Sequence, residues 1–447
     1  MRALLAPHDK AGAAELAAAL QGLGWEVTES GGPEGCDLVA ENLKAFEPGD
    51  AVDVAGVAAL RAAASQYESV IVLCDPSDYE PALAALRDGG VSQEQRRALA
   101  AKAFQHVALY DTLVARHLRG DSDPLPDELT IAMLKRTDLE LRYGENPHQA
   151  GALYLEAGAK QQGISGFTQL HGIPMSFNNV LDADAAWRTA IDFPDPTVVI
   201  VKHLNPCGLA SHEDLRVAYE RALSGDPISA FGGIVACNRP IDAGLAAAMR
   251  ASVSPSSGQR MSYHIIIAPA FSEDALTELR RWRDVRILQV REGDAFTYDL
   301  RRVGGGFLLQ EPDRKPDDSL ELKVASRREP TEAEIADLRF AWRLCKHVKS
   351  NAIVLVKDRT LLGMGAGQPN RVTSVKLAIE RAGERARGSA LASDAFFPFF
   401  DGMAVAAAAG VAAAAEPGGS VRDPEVIAIA DAAGMALVFT GERHFRH

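Results

Sequence analysis

The chain has 447 residues, of which 47% are hydrophobic and 24% are charged. This balance excludes a largely disordered protein, and the length allows about three domains. Sixty acidic residues against 47 basic ones give a net charge of −13. This charge argues against a protein that binds nucleic acid non-specifically, although a few local arginines can still bind a phosphorylated small molecule.

Cysteine spacing and hydropathy indicate the cellular compartment. The five cysteines lie far apart and form no C-x-x-C pair, which argues against a zinc site or a disulfide framework and favours a reducing cytoplasm. The first residues do not form a signal peptide. The longest apolar stretch, 404–415, is about a dozen residues long. A membrane span needs about 20, so we predict a packed helix there and no membrane association.

Residues 1–120 are predicted to form a small α/β domain. Helical periodicity covers 11–23 and 92–118, and Ser92 is a plausible N-terminal cap of the second helix. The segment 68–73, which ends in four consecutive apolar residues, has the pattern of a buried strand between them. The polar segment 121–129 contains two prolines and is predicted to be a linker.

Two further α/β units are predicted at 130–325 and 326–447, with a charged loop at 314–328 between them. Their predicted elements are strands at 197–201 and 261–268, helices at 331–346, 373–387 and 423–433, and a hairpin at 352–364.

Two polar segments are candidates for chemistry. The first, 142–149, packs Arg142, Tyr143, an amide and an imidazole around a glycine and a proline, which fits a ligand-binding loop or an ordinary capped turn. In the second, Lys202 and His203 directly follow an apolar strand. A strand end is where α/β proteins expose catalytic groups, and the pair supplies a cation beside a base that titrates near neutrality. A Lys-His pair alone is more often a surface feature.

Glycine-rich and aromatic segments are weaker candidates. The glycines at 229–233, 304–306 and 363–368 allow close approach to a ligand, or they mark tight turns. None of the three has the spacing of a P-loop or a dinucleotide fingerprint. Segment 393–402 holds four phenylalanines between two aspartates, which fits either an aromatic core or an apolar slot for a flat heterocycle.

Eight motifs taken together resemble one family in order along the chain. They are RYGENPHQ (142–149), VKHLNPCG (201–208), SAFGGIVA (229–236), KHVKSNAIVLVKD (346–358), GMGAGQPNRV (363–372), SDAFFPFFDG (393–402), GGSVRDPEVIAIAD (418–431) and FTGERHFRH (439–447). The resemblance is to the formyltransferase region of the bifunctional purine biosynthesis family. That family joins 5-aminoimidazole-4-carboxamide ribonucleotide (AICAR) formyltransferase to inosine monophosphate (IMP) cyclohydrolase.

The resemblance implies a fold and an assembly. The fold is a truncated Rossmann-like, methylglyoxal-synthase-like N-terminal domain followed by two cytidine-deaminase-like α/β subdomains. The assembly is a homodimer with shared active sites. The zinc signature of the deaminases, H-x-E with P-C-x-x-C, is missing, so no catalytic metal is expected.

The resemblance also implies a reaction, the transfer of a formyl group from 10-formyltetrahydrofolate to the 5-amino group of AICAR. His203 stands at the position of the family's base, Lys202 is a cation beside it, and Asn351 lies near the substrate. The implied nucleotide-binding residues are Arg142, Tyr143, Gly232, Gln368, Arg371, Phe396 and Arg443, and the implied folate-binding residue is Asp401. His264 departs from the family, which usually has an acid there.

The N-terminal domain departs most from the family. Four residues separate its glycine turn, 30–32, from Asp37, where the family carries some tens that include a ring-closure lysine. Lys44 and Ser65 replace a tyrosine and a lysine of the family, and Asp53 alone of that set survives. These changes predict the loss of cyclohydrolase activity and a need for a separate IMP cyclohydrolase. The alternatives are a fully bifunctional enzyme with a rebuilt site, a catalytically silent regulatory paralogue, and an N-terminal remnant that still binds a nucleotide.

Overall fold

A computed structural model of the protein describes residues 1–120, 125–131, 133–135, 139–156, 160–255, 257–293, 298–315 and 320–447. The first four residues of the predicted linker, 121–124, and part of the predicted loop, 316–319, lie outside the described residues. The chain forms two compact units, which are Met1–Lys135 with Tyr154–Ala159, and Arg136–Leu153 with Lys160–His447.

The first unit is built on a parallel sheet. Its strands are β1 (Arg2–Leu5), β2 (Glu26–Thr28), β3 (Leu38–Ala40) and β4 (Ile71–Leu73), and its helices are α1 (Ala13–Gly22), α2 (Val54–Ser65), α3 (Tyr79–Arg87) and α4 (Gln93–Arg119). The strand order is β2-β1-β3-β4, and all three pairings are parallel. A separate antiparallel pair consists of β5 (Met133–Lys135) and β6 (Tyr154–Glu156).

Both faces of β1, β3 and β4 are buried from Ala3 onward, which explains their apolar runs, whereas the edge strand β2 is partly exposed and carries polar residues. Successive residues of a strand point to opposite faces. Leu4 and Val39 accordingly pack in one core with α2 and α4, whereas Ala3 and Leu38 pack in a second core with α1 and α3. The predicted cap of α4 is confirmed, because Ser92 forms a capping box with the residue three positions later.

The second unit contains most of the secondary structure. Its strands are β7 (Thr168–His171), β8 (Thr197–Lys202), β9 (Asn205–Ser211), β10 (Ile234–Cys237), β11 (Ile265–Ala268), β12 (Arg286–Gln289), β13 (Asp299–Val303), β14 (Gly306–Gln310), β15 (Lys323–Val324), β16 (Ile353–Lys357), β17 (Thr360–Gly365), β18 (Ala390–Ser393), β19 (Ala413–Glu416) and β20 (Ala436–Phe439). Its helices are α5 (Phe177–Ile191), α6 (Leu215–Gly225), α7 (Ala243–Ala251), α8 (Glu273–Leu279), α9 (Glu332–Cys345), α10 (Arg371–Ala382), α11 (Asp401–Ala408) and α12 (Asp423–Ala433).

One mixed sheet of twelve strands runs through this unit in the order β15-β20-β19-β18-β16-β17-β9-β8-β10-β11-β12-β7. The antiparallel pairing of β9 with β17 joins strands from the two predicted subdomains. Helices α5 and α9 share one core on one face, where Trp187 and Trp342 are buried. Helices α6 to α8 and α10 to α12 cover the opposite face through two separate cores. The predicted α/β fold class is confirmed.

The helix predicted over 404–415 is wrong in its second half. Helix α11 ends at Ala408, Gly410 adopts a positive φ of 79°, and strand β19 begins at Ala413. This strand lies between two parallel neighbours, β18 and β20, and is buried throughout. A short apolar run fits a doubly buried strand as well as a helix, so periodicity alone does not separate the two.

Within the ranges that the structure describes, no helix has both the length and the apolar character needed to cross a bilayer.

Candidate active site

Lys202 and His203 stand at a tight hairpin turn between β8 and β9. The turn consists of His203 and Leu204, whose φ angles are 52° and 63°. Positive φ at both central residues is the backbone of a type I′ hairpin, a conformation that normally selects asparagine or glycine. Residues with larger side chains are unfavourable there, and such strain is concentrated at functional sites.

Three hydrogen bonds hold this turn and its flanking strand. The Leu204 N–H donates to Asp182 Oδ1 at 2.7 Å from helix α5. Asn205 Nδ2 donates to the His203 carbonyl at 3.0 Å, and the Lys349 N–H donates to Asn205 Oδ1 at 3.2 Å. The backbone that carries the candidate base is therefore fixed from a helix and from its own strand.

The first cavity has a volume of about 300 Å³ and is lined by Lys202 and His203. Lys202 Nζ donates to the Phe231 carbonyl at 2.9 Å, which places the cation beside the glycine-rich segment 229–233. Cys207 also lines the cavity, but burial raises the pKa of its thiol to about 12. Because that thiol is neutral at physiological pH, the cavity offers an imidazole and an ammonium group rather than a thiolate nucleophile.

A second cavity, of about 470 Å³, brings together four predicted site residues, Asn351, Arg371, Phe396 and Arg443. The Phe396 side chain is 41% exposed. The Arg443 guanidinium lies over the ring of Phe445, 4.7 Å from its centroid. A cation next to aromatic faces is a suitable environment for a flat ring that carries a phosphate.

A buried ion pair forms one wall of the second cavity. Arg371 donates to Asp394, to Ser393 Oγ at 2.9 Å and to Asn351 Oδ1 at 2.7 Å. Asn351 Nδ2 in turn donates to the Gln368 carbonyl at 2.8 Å. The Arg371 guanidinium therefore orients the Asn351 amide in this structure. A contact between Arg371 and the phosphate of the nucleotide stays a prediction.

A third cavity, of about 500 Å³, contains the predicted residues Arg142 and Tyr143 together with His264 and Arg286. The Arg142 guanidinium lies 5.5 Å from the centroid of the Tyr143 ring. The pKa of His264 is lowered, first by its loss of water in the cavity wall and then by the cations Arg286 and Lys202. His264 is therefore neutral near pH 7, so the third cavity combines fixed cations with a neutral imidazole.

Gly232 lies against this imidazole. Its φ is 74°, and a Cβ atom built on it would come within 3.6 Å of the His264 ring. That distance is an ordinary van der Waals contact, so the cost of a side chain at position 232 lies in the positive φ, which residues with a Cβ atom rarely adopt. The positive φ is the structural reason for glycine at position 232.

Two predicted site residues lie outside these groups. Gln368 Nε2 donates to the Ala366 carbonyl at 3.1 Å, within its own turn. Asp401 begins α11, accepts the Gly402 N–H at 2.8 Å, and does not line any of the three cavities described above. Sequence reasoning missed Asp182 and Arg286, because no local motif marks them. The available signal for Asp182 was an acid between the apolar residues Leu181 and Ala183 in the segment that forms α5. Among the described residues, no group of three or more His, Cys, Asp or Glu side chains is placed to hold a metal ion.

Comparison with known proteins identifies the family. Residues 63–381 match the family model described as AICARFT/IMPCHase bienzyme. The chain belongs to that family. The bifunctional purine biosynthesis protein PurH of Chloroflexus aurantiacus is 49% identical over 431 residues, which cover 92% of this chain and 80% of the relative. The PurH protein of Bacillus cereus (strain AH820) is 44% identical over 432 residues, covering 93% and 82%.

Among solved structures, the chain titled "Crystal structure of ForH" is 29% identical and aligns with 27% of this chain and 99% of that chain, at a TM-score of 0.24. The resemblance found from the eight motifs is confirmed by the family match. The chain is accordingly an enzyme of the AICAR formyltransferase class.

Proposed function

We propose that this protein transfers a formyl group from 10-formyltetrahydrofolate to the 5-amino group of AICAR and does not close the purine ring. The observation that carries the proposal is the turn between β8 and β9, which holds His203 beside Lys202 in a cavity of a formyltransferase family member.

The proposed chemistry needs both side chains. The 5-amino group is a poor nucleophile, because the ring and the neighbouring carboxamide withdraw its lone pair. His203 takes a proton from this nitrogen as it attacks the formyl carbon. The tetrahedral intermediate carries an oxyanion, which the Lys202 ammonium stabilises. When the carbon–nitrogen bond to the folate breaks, the proton that His203 took from the amine passes to the leaving nitrogen, and formylated AICAR and tetrahydrofolate are released.

The second cavity is the proposed site of the nucleotide. Phe396 packs against the flat base, and Arg443 binds the phosphate, for which the planar guanidinium is well suited. Asn351, oriented by Arg371, hydrogen-bonds the substrate carboxamide. Arg142 and Tyr143 add a further cation and aromatic face from the third cavity, and Asp401 is the proposed acceptor for the folate pterin.

A homodimer is proposed because one chain distributes these residues over three cavities. Phe396, Phe399 and Phe400 are 41%, 58% and 47% exposed, so an apolar surface borders the second cavity. Such a surface is typical of a protein interface. Mixing inactive His203→Ala and Arg443→Ala variants tests the sharing of sites. Partial recovery of activity supports sites built from both chains, and no recovery in verified mixed dimers contradicts them.

The first unit supports the loss of cyclohydrolase activity. Lys44 Nζ is paired with Asp50 at 2.9 Å on the surface, and Ser65 Oγ donates to a carbonyl of its own helix. Asp53 caps α2 by accepting the Gly56 N–H at 2.8 Å. Lys44 and Ser65, which replace residues of the family's ring-closure set, thus make surface and helix contacts. Asp53, which survives from that set, caps a helix.

One assay separates the candidate functions. The purified protein is mixed with AICAR and 10-formyltetrahydrofolate, and formylated AICAR and IMP are followed by chromatography, with His203→Ala as the control. We expect formylated AICAR without IMP, and a higher net flux when a separate cyclohydrolase is added. Stoichiometric IMP without added enzyme would restore the bifunctional alternative. No formylated product would favour the silent paralogue.

A further inference from the structure

We propose that Asp182 is a positioning residue for formyl transfer, because its carboxylate fixes the glycine-free turn that carries His203. The inference rests on the proposed role of His203 as the base. Asp182 does not need to contact either substrate for this role, and it lies outside the eight motifs that resemble the family.

The contact is direct and short. Asp182 lies on α5 and accepts the Leu204 N–H at 2.7 Å through Oδ1. His203 and Leu204 both hold positive φ angles, 52° and 63°, that residues with a Cβ atom avoid. A turn with such unfavourable backbone angles persists only when contacts with the surrounding structure hold it in place. The Asp182 carboxylate on helix α5 provides such a contact at Leu204, the residue that follows His203.

A second turn in the same sheet shows the same arrangement. Strands β16 and β17 are joined by Asp358 and Arg359, whose φ angles are 50° and 53°. Asp337 on α9 accepts both turn N–H groups, at 3.0 and 2.8 Å. The aspartate precedes the second turn residue by 22 positions at both turns. Helix, aspartate and glycine-free turn therefore recur as one unit, but only the first turn carries a histidine.

The electrostatic surroundings agree with this role. Burial raises the pKa of Asp182, while the Leu204 N–H and the nearby His203 act in the opposite direction. Burial likewise raises the pKa of Asp337, opposed by the N–H groups of its own turn. Partly buried carboxylates need such donors, so each aspartate and its turn stabilise one another.

The test compares matched variants at the two turns. We expect Asp182→Ala to lower kcat about 100-fold, the cost of a misplacement near 1 Å, with the KM for AICAR within about threefold. Asp182→Asn keeps an oxygen acceptor for the Leu204 N–H, so its loss in kcat should be smaller, about three- to tenfold. Asp337→Ala removes two such N–H contacts from the turn without histidine and should leave kcat within about twofold, with a fall in Tm at least as large as that of Asp182→Ala.

Three results would overturn the inference. The first is a kcat above half of the wild-type value in folded Asp182→Ala. The second is an equal loss of kcat in Asp182→Ala and Asp337→Ala. The third is an Asp182→Ala variant in which only the KM for AICAR rises and kcat is unchanged. If Asp182→Ala fails to fold, Asp182→Asn decides, and an unchanged kcat in that variant overturns it. A wild-type protein without formyl transfer would contradict the proposed function instead. A wild-type rate abolished by His203→Ala but unaffected by Asp182→Ala would contradict the positioning role alone.

Discussion

Replacing Asp394 by asparagine should destabilise the second unit strongly, because it leaves a buried cation without its partner. Asp394 is fully buried and Arg371 is 6% exposed, and the two form an ion pair. The other carboxylate oxygen of Asp394 accepts the Ser350 hydroxyl. Asparagine preserves the shape of the side chain and one acceptor, so the main change is the loss of the negative charge.

The expected magnitude follows from this burial. Breaking a buried ion pair by removing one partner typically costs about 3–5 kcal/mol. The unfolding entropy is about 2.1 cal/mol/K per residue, and the second unit has roughly 300 residues. The unfolding midpoint of this unit should therefore fall by about 5–8 °C. The KM for AICAR should also rise, because Arg371 orients Asn351.

Calorimetry near pH 7.5 measures the midpoint, and initial rates at varied AICAR measure KM. The control is Glu425→Gln, which breaks the exposed pair between Arg422 and Glu425. Exposed pairs contribute about 0–1 kcal/mol, so this control should shift the midpoint by less than about 2 °C. An Asp394→Asn midpoint as close to wild type as the control would refute the argument.

Three further predictions concern single side chains. His203→Ala should lower the formyl-transfer rate by about 10²–10⁴ while AICAR affinity stays within about tenfold, and a residual rate above a tenth of wild type would exclude His203 as the base. Arg443→Ala should weaken AICAR binding by about 1.5–3 kcal/mol, and an unchanged dissociation constant by calorimetry would remove Arg443 from the phosphate site. Glu416 is buried, and its burial raises its pKa from 4.5 to about 7, so the folded state holds a proton that the unfolded state releases. The resulting stability is present below pH 4.5 and is lost as the pH rises through 7. Glu416→Gln should therefore remove a decline of up to about 3 kcal/mol in the free energy of unfolding between pH 5 and pH 8, and urea titrations that decline equally in both proteins would contradict this.

Several elements follow from local sequence. The helix predicted at 423–433 coincides with α12, and the hairpin predicted at 352–364 covers β16 and all but the last residue of β17. The capping box at Ser92 marks the start of α4 within one residue. These signals extend over one or two helical turns, or over a strand and its turn, and local chemistry is sufficient to identify them.

In the aromatic segment 393–402, the local sequence does not determine which phenylalanine side chains are buried. Sequence alone left 393–402 open between a core segment and a ligand slot. The structure divides it, because Phe397 is buried whereas Phe396, Phe399 and Phe400 are exposed. Neighbouring phenylalanines have the same propensity, so their separate environments depend on how the loop packs above Glu416, which accepts the Phe397 N–H at 2.7 Å.

The sequence by itself determined the family and the pairing of Lys202 with His203, because motif identity and chain order survive without coordinates. Only the tertiary structure decided that Asp182 holds the His203 turn and that Arg371 is bound to Asp394. The partners in these two contacts are 22 and 23 residues apart. No pattern within a single helix or strand specifies which side chains meet across such distances, since that depends on how the helices pack against the sheet.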